Sequence, residues 1–226
     1  MALPLSRDVV VRVAPFALFM LLLVLRGAAP DDTSWGFDTR WLYGLGAVAV
    51  AALLGWLWRE YGELARQTWP EARELLLAVA TGLGVFALWI HLDAPWMSIG
   101  AATADFVPTD AAGAIDWPLA ATRWLGATLV VPVMEELFWR SFLMRWIAHP
   151  LFLGVDPRRA GLKAIVLSTF VFTLAHTLWL AAALAGLVYA ALYVRTGRLW
   201  VPVIAHAVTN GALGIWVLAT GTWQFW

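Results

Sequence analysis

The sequence predicts an all-α fold: a polytopic membrane helical bundle of about seven transmembrane helices, with six to eight as the range. Apolar residues occupy 62% of the 226 positions and charged residues only 13%, and the mean hydropathy is +0.76. This composition is too apolar for a soluble domain of this size. The 15 basic and 15 acidic residues cancel, so no net charge favours nucleic acid as a partner. Cysteine is absent, which excludes disulfides and thiolate chemistry.

The predicted spans follow the apolar stretches of the chain. They cover residues 9–25, 41–58, 75–92, about 119–147, 164–194 and 199–220. We interpret the first as a retained helix, because it is longer than the core of a signal peptide. The fifth stretch exceeds one span, so we expect it to split near 178–183. The polar residues 59–74 are expected to form an amphipathic interfacial helix. Residues 1–226 form one predicted domain, with variable spans in 1–118 and a core in 119–220.

The distribution of basic residues predicts the orientation of the bundle. With the N-terminus inside, the inner segments hold eleven basic residues and the outer loops hold two, Arg26 and Arg40. This pattern favours seven helices with the N-terminus inside and the C-terminus outside. Arginine supplies all but one of the basic residues, which is typical of a high-GC bacterial genome, so we expect the bacterial cytoplasmic (inner) membrane. The role of the acidic outer loop 93–118 stays open.

Two glutamates and an arginine lie inside the fourth predicted span. A charge at membrane depth costs at least about 2.5 kcal/mol, so Glu135, Glu136 and Arg140 are unexpected there. Four residues separate Glu136 from Arg140, which lets them pair on one face of a helix. Glu135 points roughly 100° away from Glu136. The spacing therefore predicts one carboxylate held by Arg140 and one free for chemistry, with a purely structural ion pair as the alternative.

Three further polar side chains lie in apolar surroundings late in the chain: His176, His206 and Asn210. His206 and Asn210 are four residues apart and share one helix face. At about 1.5 Å per residue, all three lie at a depth similar to that of Glu135. Singly, such residues often only hydrogen-bond a neighbouring helix. Together they predict a buried polar cluster of the kind that lines a water-filled site or an ion path.

These residues form three motifs: Glu135-Glu136-x-x-x-Arg140, Phe172-x-x-x-His176 and His206-x-x-x-Asn210. All three are complete and in order within residues 120–215. In this region the chain resembles the CAAX prenyl endopeptidase type II and bacteriocin-processing (abortive infection) family of glutamate intramembrane proteases. It is also similar to the bacterial exosortase-associated subgroup of CAAX-protease-related proteins. The first three predicted spans carry no matching motif.

The resemblance implies an intramembrane endopeptidase that hydrolyses a peptide bond with an activated water. The implied catalytic residues are Glu135 as general base, His176 as the residue that orients the water, and His206 and Asn210 as oxyanion donors. The implied supporting residues are Glu136, Arg140 and Phe172. The expected partners are the lipid bilayer and a membrane-anchored peptide or protein substrate; a bacterial origin favours a peptide, leader or sorting-signal tail over a prenylated one. The oligomeric state stays open.

Three alternatives remain at this point. No cofactor is expected, but a divalent metal such as zinc could be held by Glu135, His176 and His206, although the His-Glu-x-x-His signature is absent. A proton- or ion-coupled transporter or channel could use the buried Glu and His residues as a relay, although no inverted repeat indicates one. A non-catalytic, immunity-type member of the same family could keep the scaffold without the activity.

Overall fold

The computed structural model describes residues 6–29, 35–100 and 106–226. It contains seven helices: α1 (Arg7–Ala28), α2 (Trp41–Trp56), α3 (Ala72–Trp89), α4 (117–148), α5 (Leu162–Leu174), α6 (Trp179–Thr196) and α7 (Trp200–Thr220). No β-strand occurs in the described ranges. The predicted all-α bundle is therefore confirmed.

The lengths and surfaces of the helices are those of a membrane bundle. Among the described residues, α1, α3, α6 and α7 are long and apolar enough to cross a membrane, while α2 and α5 are shorter apolar helices. Large apolar side chains lie on the outside of the bundle, as with Leu21, Val24, Leu45 and Val48. Exposed apolar surface on this scale is unfavourable in water and suits contact with lipid.

The helix ends group into two opposite faces of the bundle. At the first, which we call the basic face, Arg7 at the start of α1 pairs with Glu60 beyond the end of α2 at 2.6 Å. At the second, which we call the long-loop face, Arg40 before α2 donates to the carbonyl oxygen of Val107 at 2.9 Å. Helices α1 and α2 thus run in opposite directions between the two faces. Which face is cytoplasmic stays a prediction.

The connector between α2 and α3 is not the amphipathic helix expected for 59–74. It forms three short 3₁₀ turns: Trp58–Glu60, Gly62–Leu64 and Arg66–Thr68. The connector is drawn into the bundle, where Tyr61 and Leu64 are each only 2% exposed. Tyr61 donates its hydroxyl hydrogen to the Val11 carbonyl at 2.9 Å. A continuous interfacial helix could not bury these residues under α1, so the prediction was wrong.

The stretch 164–194 does split, but at 175–178 rather than near 178–183. Helix α5 has 13 residues and rises about 20 Å, less than the ~30 Å of hydrocarbon. The turn after it therefore lies at membrane depth, where its backbone needs partners from protein. The long loop supplies them: Ile99 N–H donates to Thr177 O at 2.8 Å. Residues 101–105 of the acidic loop 93–118 lie outside the described residues.

Helix α4 is continuous but uneven. Two π-helical segments, Gly126–Val130 and Leu137–Met144, flank the α-helical Val131–Glu136. Pro132 explains the first, because a proline ring inside a helix removes one N–H and clashes with a carbonyl in the preceding turn. Widening that turn relieves the clash, and π segments are frequent at functional sites. Pro132 therefore reshapes α4 one turn before the two glutamates without ending it.

Close packing of α3 against α7 fixes the positions of His206 and Asn210. A Cβ atom on Gly82 would lie 2.4 Å from the carbonyl oxygen of Ala205, so only glycine fits at this crossing. Thr209 donates its hydroxyl hydrogen to the Gly82 carbonyl at 2.9 Å. These contacts hold the face of α7 that carries His206 and Asn210.

Candidate active site

A cavity of about 1130 Å³ lies inside the bundle and extends to the long-loop face, where Arg40 and Val107 line it. All four residues predicted as catalytic line this cavity: Glu135, His176, His206 and Asn210. They come from α4, from the α5–α6 turn and from α7. Three distant segments of the chain thus contribute polar groups to one space, while their catalytic role stays a prediction.

Glu136 is the bound carboxylate of the pair. Its side chain is fully buried, and Oε1 accepts hydrogen bonds from Arg140 Nη1 at 3.1 Å and from His206 Nδ1 at 2.9 Å. The predicted pairing of Glu136 with Arg140 is therefore present. The sequence did not predict the bond to His206. This bond leaves Nε2 as the ring nitrogen of His206 that is free to act in the cavity.

Two aromatic rings enclose Arg140. Its guanidinium carbon lies 4.7 Å from the ring centre of Phe172 and 5.4 Å from that of Tyr189. Tyr189 also stacks on His206 at 5.1 Å and donates to Thr209 Oγ1 at 2.7 Å. Sequence reasoning gave Tyr189 no role, although a hydroxyl inside an apolar helix is a usable signal. Tyr189 joins Arg140 to His206 and so belongs to the support of the site.

Glu135 is the uncommitted carboxylate. It is half-buried in the cavity wall, and within the described residues its Oε2 atom is buried and makes no hydrogen bond. Buried polar atoms are nearly always bonded, so an exception needs an explanation. A ligand or a water molecule that bonds to Glu135 would supply one.

His176 lies in the turn between α5 and α6. Its Nδ1 atom is 2.8 Å from the carbonyl oxygen of Phe172. Because a carbonyl can only accept, Nδ1 is the donor, and in the neutral ring Nε2 carries the lone pair. The ring of Phe172 packs against the His176 ring at 4.4 Å, and that of Trp89 does so at 5.8 Å.

Asn210 has a structural partner that the sequence did not reveal. In a π-helical turn the carbonyl of residue i accepts from residue i+5, and for Ala127 that residue is Pro132, which has no N–H. Asn210 Nδ2 replaces the missing backbone donor and donates to Ala127 O at 2.9 Å. The second hydrogen on Nδ2 is left for another acceptor. Asn210 therefore joins α7 to the widened turn of α4 and still lines the cavity.

The metal alternative can be tested against the donor set. The part of the chain that the structure describes contains no group of three His, Cys, Asp or Glu side chains arranged to hold a metal ion. Glu135, His176 and His206 are not arranged as such a group, although the bonds at Nδ1 leave Nε2 of both rings free to bind a metal. The metal alternative stays a prediction, and we derive no step through a metal.

The fold is that of a multi-pass helical membrane protein with a polar cavity inside the bundle. Residues 117–212 match the family model described as "Rce1-like: Type II CAAX prenyl endopeptidase Rce1-like". No curated protein and no solved structure matches the chain. The matched segment covers 96 of the 226 residues and contains all three motifs, and its similarity to this family supports a membrane endopeptidase in general.

Proposed function

We propose that this protein is an intramembrane endopeptidase that hydrolyses a peptide bond of a membrane-anchored peptide or protein tail with water activated by Glu135 and His176. One observation supports it above the others. An uncommitted carboxylate and a histidine whose Nδ1–H is already engaged line the same cavity inside the bundle. The protease family of the matched region supports the same class of reaction.

The first step is activation of the water. A water between Glu135 and His176 donates one hydrogen to the carboxylate and the other to Nε2 of the ring. Both of its protons are then directed away from the substrate, and a lone pair faces the carbonyl carbon. As the oxygen–carbon bond forms, Glu135 takes the proton as general base. His176 holds the water in place because its Nδ1–H is fixed on Phe172.

The second step is stabilisation of the tetrahedral oxyanion. Asn210 has one Nδ2–H beyond the one it gives to Ala127. His206 provides a second donor at Nε2 when the ring is protonated beside the Glu136 carboxylate. Each such donor is typically worth about 3 kcal/mol in the transition state. The intermediate collapses as the carbon–nitrogen bond breaks, and Glu135 returns its proton to the leaving amine.

The supporting residues set the geometry of these groups. Arg140 neutralises Glu136, and the pair together orients the His206 ring. Phe172 gives its carbonyl to His176 and its ring to Arg140. Replacing any one of them would displace a donor or acceptor that the reaction uses.

The test is cleavage by the full chain reconstituted in liposomes with a library of tagged membrane-anchored peptides. We expect wild type to cleave and Glu135→Gln to lose about 10²- to 10⁴-fold in rate, the usual contribution of a general base. Arg59→Gln is the matched control, because Arg59 is exposed on the basic face away from the cavity. Retained cleavage in Glu135→Gln would refute the mechanism.

Two further measurements address the alternatives. Cleavage that survives a chelator supports the metal-free reaction, and loss that added zinc restores supports the metal one. Ion flux without cleavage would favour the transporter.

The proposal includes the bacterial cytoplasmic membrane as the location and an N-terminus inside. Because the chain has no native cysteine, the single substitutions Arg66→Cys and Asp110→Cys allow a direct check of the orientation. A membrane-impermeant thiol reagent added outside should label the one at position 110 and not the one at 66.

A further inference from the structure

The cavity continues beyond the proposed catalytic groups, from Glu135 past Ala127 and Tyr43 towards the long-loop face. Arg123, in α4 ahead of the first π segment, lines this extension. Arg40 also lines it, but its guanidinium is already engaged by both carboxylate oxygens of Asp38 and by two backbone carbonyls. Arg123 differs from Arg40 in that no such set of partners engages it.

Within the described residues, Arg123 has no carboxylate within ion-pair distance, and its Nε atom is buried without a hydrogen-bond partner. Its guanidinium carbon lies 4.2 Å from the ring centre of Tyr43 and 5.6 Å from that of Phe106. Tyr43 is 5% exposed, and its buried hydroxyl makes no hydrogen bond of good geometry, with the guanidinium of Arg123 as its polar neighbour. Within the described residues, a buried guanidinium and a buried hydroxyl on different helices thus face one cavity with no anionic partner.

We infer that Arg123 and Tyr43 form a carboxylate-binding subsite for the peptide substrate. Resting on the proposed function, this inference adds a chemical feature of the substrate. A carboxylate has two oxygens and can accept from a guanidinium and a hydroxyl together. It would also supply the counter-charge that an arginine at membrane depth needs. A neutral amide or an alcohol would satisfy one donor and leave the charge unpaired.

The position of Arg123 sets the spacing of the substrate. Arg123 and Glu135 lie twelve positions apart on α4, which at about 1.5 Å per residue is roughly 18 Å along the helix. An extended peptide advances about 3.3–3.6 Å per residue. The carboxylate therefore lies roughly five residues from the cleaved bond. It is either the C-terminal carboxylate of the substrate or an Asp or Glu side chain at that distance.

The test measures binding separately from cleavage. The full chain carrying Glu135→Gln is placed in nanodiscs, and fluorescein-labelled apolar hexapeptides of alanine and leucine are titrated by anisotropy. One peptide ends in a free carboxylate, the second is its C-terminal amide, and the third is an amide with Glu as its last residue. We expect the first or third to bind at least about tenfold tighter than the second. Whichever does so identifies the source of the carboxylate.

Variants assign the preference to Arg123. Adding Arg123→Gln should abolish the tenfold preference, Arg123→Lys should keep part of it, and Arg59→Gln should leave it unchanged. Equal binding of all three peptides, no binding of the carboxylate peptides, or a preference that survives Arg123→Gln would overturn the subsite. Since Arg123→Lys retains the charge, its partial preference also shows that the effect is not misfolding.

The two proposals fail in different ways. Carboxylate-dependent binding through Arg123 without cleavage of any library peptide by wild type would keep the subsite and refute the endopeptidase. Cleavage whose rate does not depend on a substrate carboxylate would keep the endopeptidase and refute the subsite.

Discussion

Two polar clusters inside the bundle each include residues of α4, and they differ in how completely their polar atoms are hydrogen-bonded. The basic-face network consists of Arg12, Glu63, Ser141 and Arg145. Arg12 donates to both oxygens of Glu63 at 2.8 and 2.6 Å. Ser141 donates to the same carboxylate, and Arg145 donates to Ser141 Oγ at 3.1 Å. This network is satisfied by the protein itself.

The cavity cluster is not satisfied by the protein. Among the described residues, the buried atoms without a hydrogen bond here are Oε2 of Glu135, Nε of Arg123 and, next to the cavity, Oε2 of Glu136. Burying a polar group without a partner costs free energy that folding has to offset. A closed network of this kind stabilises the bundle, whereas an open one marks the place where a ligand completes the bonding. Three predictions, in order of expected effect, test that distinction.

The largest effect on stability is expected at the closed network. Glu63→Ala leaves Arg12 buried without its carboxylate, and removing one partner of a buried pair typically costs about 3–5 kcal/mol. Unfolding titrated with sodium dodecyl sulfate measures the change. Glu60→Ala is the matched control, since its partner Arg7 is exposed, and it should change little. A Glu63→Ala protein as stable as wild type would show that the network is not structural.

The second prediction separates the two adjacent glutamates. Glu136→Gln removes the charge that Arg140 and His206 share, and we expect a loss of about 2–3 kcal/mol in the same titration. Glu135→Gln removes no ion pair and should change stability by less than about 1 kcal/mol. Both variants should lose cleavage. Equal destabilisation by the two substitutions would mean that Glu135 is a structural residue as well.

The smallest effect is a dependence on pH. Burial alone would raise the pKa of Glu63, but the hydrogen bonds and charge of Arg12 outweigh it and hold the pKa below its ordinary 4.5. A lowered pKa stabilises the fold above the unfolded value, and the gain is lost as pH falls through the folded value. The thermal midpoint of wild type should therefore exceed that of Glu63→Gln most at pH 7. The gap should close below about pH 4.5; a gap that widens on acidification would contradict it.

The sequence predicted the parts of this architecture that depend on spacing along one helix. The Glu136–Arg140 pair and the shared face of His206 and Asn210 follow from helical geometry alone. The contact of Glu63 with Arg12 could not be foreseen, because 51 positions separate them and no periodicity relates a polar connector to the helix it covers. Only the folded chain shows that Glu63 is buried.

Two further features, the exact α5–α6 boundary and the bond from Asn210 to Ala127, were also not predicted from the sequence. The residues around the α5–α6 turn are apolar on both sides, so composition gave no boundary at 175–178. The bond from Asn210 to Ala127 depends on a widened turn, which the sequence signals only through Pro132. A proline inside a predicted span, four residues or fewer before a motif, is a sign that could be used in similar chains.

The short α5 has a consequence for the lipid around it. With about 20 Å of helix against ~30 Å of hydrocarbon, the bilayer beside α5 has to thin or the helix has to be compensated, at a fraction of a kcal/mol per Å of mismatch. A substrate helix long enough to span an unthinned bilayer would fit poorly into the thinned lipid beside α5. A short or partly polar substrate segment would fit the thinned lipid beside α5 better. The mismatch energy would therefore favour such segments on the side of the bundle where His176 lies.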